Sequence, residues 1–131
     1  MNGVAARVRR DPLRWLLLAI AAGTFLSGLV LVVVPGVVLD VLSAPTRTSD
    51  KLFFAIIGMF MAVVGGALTQ TLLGAAPSRL VVGWSALQKL GAAVAMSLAV
   101  VLDVFSFAGL SLVAFDSVSA VLAAAYWWRI S

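Results

Sequence analysis

The sequence predicts an all-α membrane protein, a bundle of four transmembrane helices, and two observations carry this prediction. Of its 131 residues, 63% are apolar and only 11% are charged, and the mean hydropathy is +1.17, whereas soluble domains contain about 25% charged residues. Four apolar runs lie at 13–34, 52–73, 80–101 and 109–130. Each would extend about 33 Å as a helix, enough to cross a hydrocarbon core of about 30 Å. Only short connections remain, so we expect residues 1–131 to form a single integral membrane domain.

The first run follows a basic arm and is itself followed by two breaks. Pro35 marks a helix end or a kink, because proline cannot donate a backbone amide. The segment 37–42, which precedes a second break at Pro45, is interpreted as a short helical turn at the outer face or as a re-entrant segment lining a cavity. Arg9 and Arg10 before an apolar run are also typical of signal peptides. This run is too long for one and three more follow, which favours a retained span.

The basic residues predict the orientation of the spans, because Lys and Arg are retained on the cytoplasmic side during insertion. One side of the four-span arrangement holds most of the cations: Arg7, Arg9, Arg10, Arg14, Arg79 and Arg129. The other side holds only Arg47 and Lys51, and Lys89 lies inside a span. Tryptophans favour membrane interfaces, and all of them fall near the more basic side: Trp15, Trp84, Trp127 and Trp128. We therefore expect a multi-pass protein of the plasma (inner) membrane with both termini in the cytoplasm.

One short segment is nearly repeated along the chain. VVLDVLS at 37–43 and VVLDVFS at 100–106 differ at a single position. Both follow an odd-numbered span, where a parallel two-plus-two repeat would place them. The flanking residues do not align at the same offset, so coincidence in a Val/Leu-rich chain explains the similarity at least as well. The repeat points only to Asp40 and Asp103 as equivalent interfacial positions.

Small residues indicate which helix faces meet, because apolar character selects no face in lipid. The best-supported helix-packing stripe is formed by Gly58, Ala62 and Gly66. Glycine inside a helix costs about 1 kcal/mol relative to alanine, so its presence there indicates a close helix contact. The other spans carry comparable stripes: Ala19, Gly23 and Ser27 in the first, Gly91, Ala95 and Ala99 in the third, and Asp116, Ala120 and Ala124 in the fourth.

Four polar side chains inside the spans need an explanation: Gln70, Gln88, Lys89 and Asp116. A Lys or Asp near the centre of a membrane helix costs about 2.5–3.5 kcal/mol. Helices joined by a short connection are antiparallel neighbours, and on that geometry Lys89 and Asp116 differ in depth by about 9 Å, much of which a lysine side chain covers. We expect these two to form an intramembrane polar pair, with Gln70 and Gln88 as supporting polar residues.

Three interpretations of Lys89 and Asp116 remain open. The pair can fix the register of the third and fourth spans. It can instead be a proton or ion relay or a small-ligand site, because intramembrane ionisable residues are functional candidates by default. In the third interpretation a shifted helix lets Lys89 snorkel to the cytoplasmic interface near Trp84.

The residue types exclude most catalytic chemistry. The chain has no Cys and no His, and its acidic residues are all aspartates: Asp11, Asp40, Asp50, Asp103 and Asp116. No nucleophile motif, phosphate loop or metal-ligand cluster is present. We expect no cofactor, no metal and no enzymatic activity, and the dispersed cations argue against nucleic-acid binding.

Several short motifs support a family resemblance. Gly28 and Pro35-Gly36 close the first span, LQKLG occupies Leu87–Gly91, and AFD occupies Ala114–Asp116. In these features the chain resembles uncharacterised small four-helix bacterial inner-membrane proteins. The resemblance implies a four-helix fold and brings no activity with it.

The sequence shows neither a set of catalytic residues nor a soluble domain, and the expected function follows from this. We expect an accessory or interaction subunit of a larger membrane assembly, whose partners are the lipid bilayer and other membrane proteins or a second copy of the chain. The alternative is a proton-linked transporter or small-solute channel that uses Lys89 and Asp116.

Overall fold

The computed structural model describes residues 10–131, and that part of the chain is helical without strands. It contains five helices in order: α1 Pro12–Val33, α2 Pro35–Val41, α3 Thr48–Leu73, α4 Arg79–Val101 and α5 Gly109–Arg129. All except α2 are long and apolar enough to cross a membrane. The all-helical class and the four candidate spans predicted from the sequence are therefore confirmed. Arg7 and Arg9, counted above for the orientation, lie outside the described residues.

Polar residues at the helix ends explain where the helices begin. Asp11 caps α1, because its carboxylate accepts from the backbone N–H of Arg14 at 3.2 Å. Helix α3 begins at Thr48, ahead of the apolar run, because the Asp50 carboxylate accepts from the backbone N–H of Arg47 at 3.1 Å. An acidic side chain in the first turn also complements the helix dipole. Apolarity alone therefore placed the start of this helix too late.

The segment after the first span forms a helix of seven residues. Pro35 stands at the first position of α2, where its missing N–H costs nothing and its fixed φ suits the helix. Leu39 and Leu42 are buried, and α2 packs against α1 and α3. Asp40, on the same helix, is exposed.

The four long helices form two closely packed antiparallel pairs, α1 with α3 and α4 with α5. Smaller contacts of α1 with α5 and of α3 with α4 join the pairs. We call the end of the bundle where α1 and α4 begin the arginine end. A buried apolar cluster unites all four long helices in that half of the bundle: Leu17, Ala21, Leu68, Leu72, Val82, Ala123 and Tyr126. Beyond this cluster, the helices bury residues mainly within each pair.

Glycines bring the backbones of α1 and α3 together. A Cβ built on Gly28 would lie 2.5 Å from the carbonyl oxygen of Gly58 and 2.6 Å from the backbone nitrogen of Ala62. Two turns further along α3, a Cβ on Gly65 would lie 2.6 Å from the backbone nitrogen of Phe25. Only glycine allows so close an approach.

This packing differs in part from the stripe expected on α3. Gly58 and Ala62 do lie against α1, but Gly65 makes the close approach in place of Gly66, whose missing Cβ would meet only the Phe25 ring at 3.5 Å. A spacing of seven residues from Gly58 to Gly65 follows the contact seam of two helices crossing at a small angle, whereas a strict spacing of four drifts off it.

The small-residue stripes expected on α1 and α4 do not form the internal contacts. Nothing lies within 4 Å of a Cβ built on Gly23 or Gly91, and Ala19, Ser27 and Ala95 are exposed. The covered face of α1 instead carries Leu17, Ala21, Thr24, Gly28 and Leu31. On α5, Ala120 is buried but Ala124 is exposed.

The two copies of the near-repeat meet at the end opposite the arginine end. The backbone N–H of Ser106 donates to the carbonyl oxygen of Leu42 at 3.0 Å. Their aspartates are not structurally equivalent, because Asp40 is helical whereas Asp103 has a φ of 56° in the turn after α4. Identical residues adopt different conformations here because one segment forms its own short helix and the other ends a long one.

Candidate functional site

Lys89 and Asp116 form an ion pair between α4 and α5. The lysine Nζ donates to Asp116 Oδ1 at 2.9 Å, and the two side chains are only 7% and 14% exposed. Lys89 lies next to the middle residue of α4, about 15 Å along the helix from Arg79. The ion pair thus lies near the middle of α4 and α5, and the structure brings together the two charged residues that the sequence predicts to pair.

Small side chains create the space that the pair occupies. Ser85 and Ala93 precede and follow Lys89 on the buried face of α4, and Ser119 and Ala120 are buried on the facing side of α5. Because none of these side chains is bulky, the lysine stem can lie between the two helices. The Lys89 Nζ is also 5.1 Å from the centre of the Phe115 ring, a cation–π distance that partly compensates the ammonium for lost water.

The hydroxyl groups near the pair are bonded within their own helices. Ser85 Oγ donates to the Val81 carbonyl at 2.8 Å, and Ser119 Oγ donates to the Phe115 carbonyl at 2.6 Å. Within residues 10–131, the bond to each other is the only hydrogen bond that the Lys89 and Asp116 side chains make. The described residues therefore contain no hydrogen-bonded chain leading away from the pair.

The two glutamines occupy different surroundings. Gln70 is exposed on α3, and no hydrogen bond joins it to Lys89 or Asp116. Gln88 Oε1 is buried and has no hydrogen-bond partner among the described residues. A buried acceptor without a donor is costly, so Gln88 is the polar group of this region that the fold leaves unsatisfied.

Arg14 has a role that the sequence did not indicate. Its charge was assigned to the membrane boundary, yet the residue is 5% exposed. Its Nε donates to the Leu72 carbonyl at 2.8 Å, and its Nη2 donates to the carbonyls of Leu72 and Gly74. These carbonyls end α3, where the helix leaves acceptors unpaired and its dipole favours a cation. The detectable signal was that Arg14 lies inside the first apolar run, one turn before Leu17.

Two further contacts organise the arginine end. Arg129 forms an ion pair with Asp11, which joins the end of α5 to the start of α1. The Arg79 guanidinium lies 4.1 Å from the centre of the Trp127 ring. Each of these contacts links two helices at the boundary where the tryptophans lie.

Compared with known proteins, the chain matches no family model, no curated protein and no solved structure. Among residues 10–131, no group of three His, Cys, Asp or Glu side chains could hold a metal ion.

Proposed function

We propose that the protein is an accessory subunit of a bacterial inner-membrane assembly, which binds a neighbouring membrane helix through the uncovered small-residue face of α1. The observation that carries the proposal is the open space at Gly23. No atom of another helix lies within 4 Å of its missing Cβ, although glycine in a helix costs about 1 kcal/mol relative to alanine. Close approach of a second helix is the usual reason for such a residue in lipid.

The surroundings of Gly23 fit that role. Ala19 and Ser27 lie one turn before and after it, and both are exposed. Leu26 and Val30 flank the stripe and are about half exposed. Small residues bordered by Leu and Val let two backbones approach while larger side chains pack around them. The Ser27 hydroxyl makes no hydrogen bond to any described residue, so it is available to a partner helix.

The ion pair between Lys89 and Asp116 also fits the proposal, because its geometry suits a structural role. Lys89 bonds to Asp116, and the neighbouring hydroxyls bond within their own helices. A closed pair of this kind fixes the register of α4 against α5 and need not add much net stability. We propose further that the arginine end faces the cytoplasm, because Arg10, Arg14, Arg79 and Arg129 lie there and cations are retained on that side.

Copurification from native membranes tests the proposal. The full-length protein is extracted in a mild detergent, and the associated membrane proteins or second copy are compared for the wild type, Gly23→Leu and Ala114→Leu. Ala114 is exposed on α5 outside the stripe, so it is the matched control for added volume. We expect Gly23→Leu alone to lose the partner. Equal retention by both variants would overturn the proposal.

A second candidate function is proton-linked transport, and the unsatisfied Oε1 of Gln88, the residue before Lys89 on α4, favours it. A buried acceptor without a partner can accept a hydrogen bond from a polar solute. The test is solute or proton flux into liposomes that contain the purified protein. Flux that Asp116→Asn abolishes supports transport, whereas the absence of flux in the wild type rejects it.

A further inference from the structure

The arginine end carries an excess of positive charge. In the described part of the chain it has Arg10, Arg14, Arg79 and Arg129 against the single acidic residue Asp11. The opposite end has more aspartates than cations: Asp40, Asp50 and Asp103 against Arg47 and Lys51. Charge therefore distinguishes the two ends of the bundle.

The four arginines of this end are not equally available to a ligand. Arg14 is buried and bonded to the carbonyls that end α3, and Arg129 is paired with Asp11. Arg79 is exposed and makes no hydrogen bond or ion pair with any residue in 10–131. Arg79 therefore presents guanidinium donors that no described residue uses.

The Arg79 guanidinium is nevertheless held in place. It stacks on Trp127 at 4.1 Å from the ring centre, and the indole itself lies against α4 in the space left by Gly83, whose missing Cβ would be 3.0 Å from Trp127 Nε1. Stacking on an aromatic face leaves the edge of a guanidinium free to bind an anion in a bidentate way. Trp128, the next residue, is 77% exposed, as is typical of a side chain at the headgroup level.

We propose that Arg79, held by Trp127, binds the headgroup phosphate of an anionic phospholipid of the bilayer. The site has the required positive charge and lies at the interface end of two spans, and no described carboxylate pairs with its cation. The N-terminus of α4 adds partial positive charge at the same place. Basic sites between transmembrane helices on the cytoplasmic side are suited to such lipids. This inference does not depend on the partner of α1.

Lipid retention by the full-length protein tests the site. The protein in detergent is titrated with phosphatidylglycerol or with phosphatidylcholine, and native mass spectrometry counts the lipids that stay bound. The wild type should retain phosphatidylglycerol selectively. Arg79→Gln should weaken this binding about fivefold, as expected for one interfacial arginine. Arg47→Gln removes an exposed arginine from the opposite end and should change nothing.

Two additional measurements separate the competing explanations. Arg79→Lys keeps the charge and loses the planar stack, so it should bind phosphatidylglycerol more tightly than Arg79→Gln and less tightly than the wild type. Inorganic phosphate at the same concentration should not compete, because the bilayer lipid also contributes its acyl chains. Equal retention of the two lipids by the wild type, or equal losses in Arg79→Gln and Arg47→Gln, would overturn the proposal. Competition by inorganic phosphate would reassign the site to a free anion.

Discussion

Gly28 and Gly58 place the backbones of α1 and α3 in direct contact. A Cβ on Gly28 would lie 2.5 Å from the Gly58 carbonyl oxygen, and a Cβ on Gly58 would lie 2.6 Å from the Gly28 carbonyl oxygen. The relationship is reciprocal, so neither position can accept a side chain unless the helices separate. A Cβ on Gly23, on the same helix, would have no atom of another helix within 4 Å. One glycine of α1 thus packs inside the molecule, and another is left uncovered.

The two glycines of α1 should respond oppositely to alanine. Gly28→Ala is expected to destabilise the protein by about 1–3 kcal/mol, because the added methyl group forces the α1 and α3 backbones apart. Gly23→Ala should leave stability unchanged or raise it by up to about 1 kcal/mol through helix propensity. Unfolding of the purified protein in mixed micelles measures both. Equal destabilisation by the two substitutions would contradict the packing described here.

Arg14→Gln should destabilise the arginine end. The substitution removes the donors to the Leu72 and Gly74 carbonyls, and unsatisfied buried acceptors cost about 1–3 kcal/mol. Arg10→Gln removes an exposed arginine of the same end that bonds to no described residue, so it serves as the control and should be neutral. Hydrogen exchange at the last turn of α3 is the most local measurement. Unchanged protection there in Arg14→Gln would contradict the capping role.

The Lys89–Asp116 pair should show strong energetic coupling. Lys89→Met leaves a carboxylate unpaired between helices, and Asp116→Leu leaves an ammonium unpaired, each at a cost of about 3 kcal/mol. The double variant should be more stable than either single variant, because apolar replacement of a whole buried pair is close to neutral. A double-mutant cycle measures the coupling. Additive effects of the two substitutions would show that the pair is not formed in the membrane.

The orientation can be read by cysteine labelling, because the chain has no native cysteine. Thr46 and Ala76 are both exposed, in the connections at opposite ends of α3. In intact cells, a membrane-impermeant maleimide should label Thr46→Cys and leave Ala76→Cys unlabelled until the membrane is opened. The reverse pattern would place the arginine end outside the cytoplasm.

The sequence predicts the spans well because lipid leaves few alternatives for a chain this apolar. Each of the four runs is long enough to cross a bilayer and is expected to form a helix. A helix pairs its own backbone N–H and C=O groups, which hydrocarbon cannot do. The juxtaposition of Lys89 and Asp116 could be argued in advance for a related reason. Two opposite charges inside a bilayer each cost free energy when they are unpaired. On consecutive antiparallel helices, Lys89 and Asp116 lie close enough in depth to pair.

The packing faces could not be predicted with the same certainty. Helix α1 has small residues at four-residue spacing on one face and Ala21, Thr24 and Gly28 on another, and spacing alone does not say which face meets α3. The neighbouring helix α3 determines which face of α1 is covered. Its Gly58 lies against Gly28, and its Gly65 lies against the backbone of Ala21 and Phe25. The hydrogen bonds of Arg14 could not be predicted for a similar reason. Its acceptors are backbone carbonyls of Leu72 and Gly74, which a sequence does not display.

Crosslinking in native membranes is the most direct test of the central claim, that the Gly23 face of α1 contacts another protein. Leu26 flanks that face and Val118 lies on α5, and their exposures are matched at 59% and 58%. A small diazirine-bearing leucine analogue is placed at one position or the other and irradiated. We expect a discrete protein adduct from position 26 and only lipid adducts from position 118. Lipid adducts alone from both positions would contradict this claim.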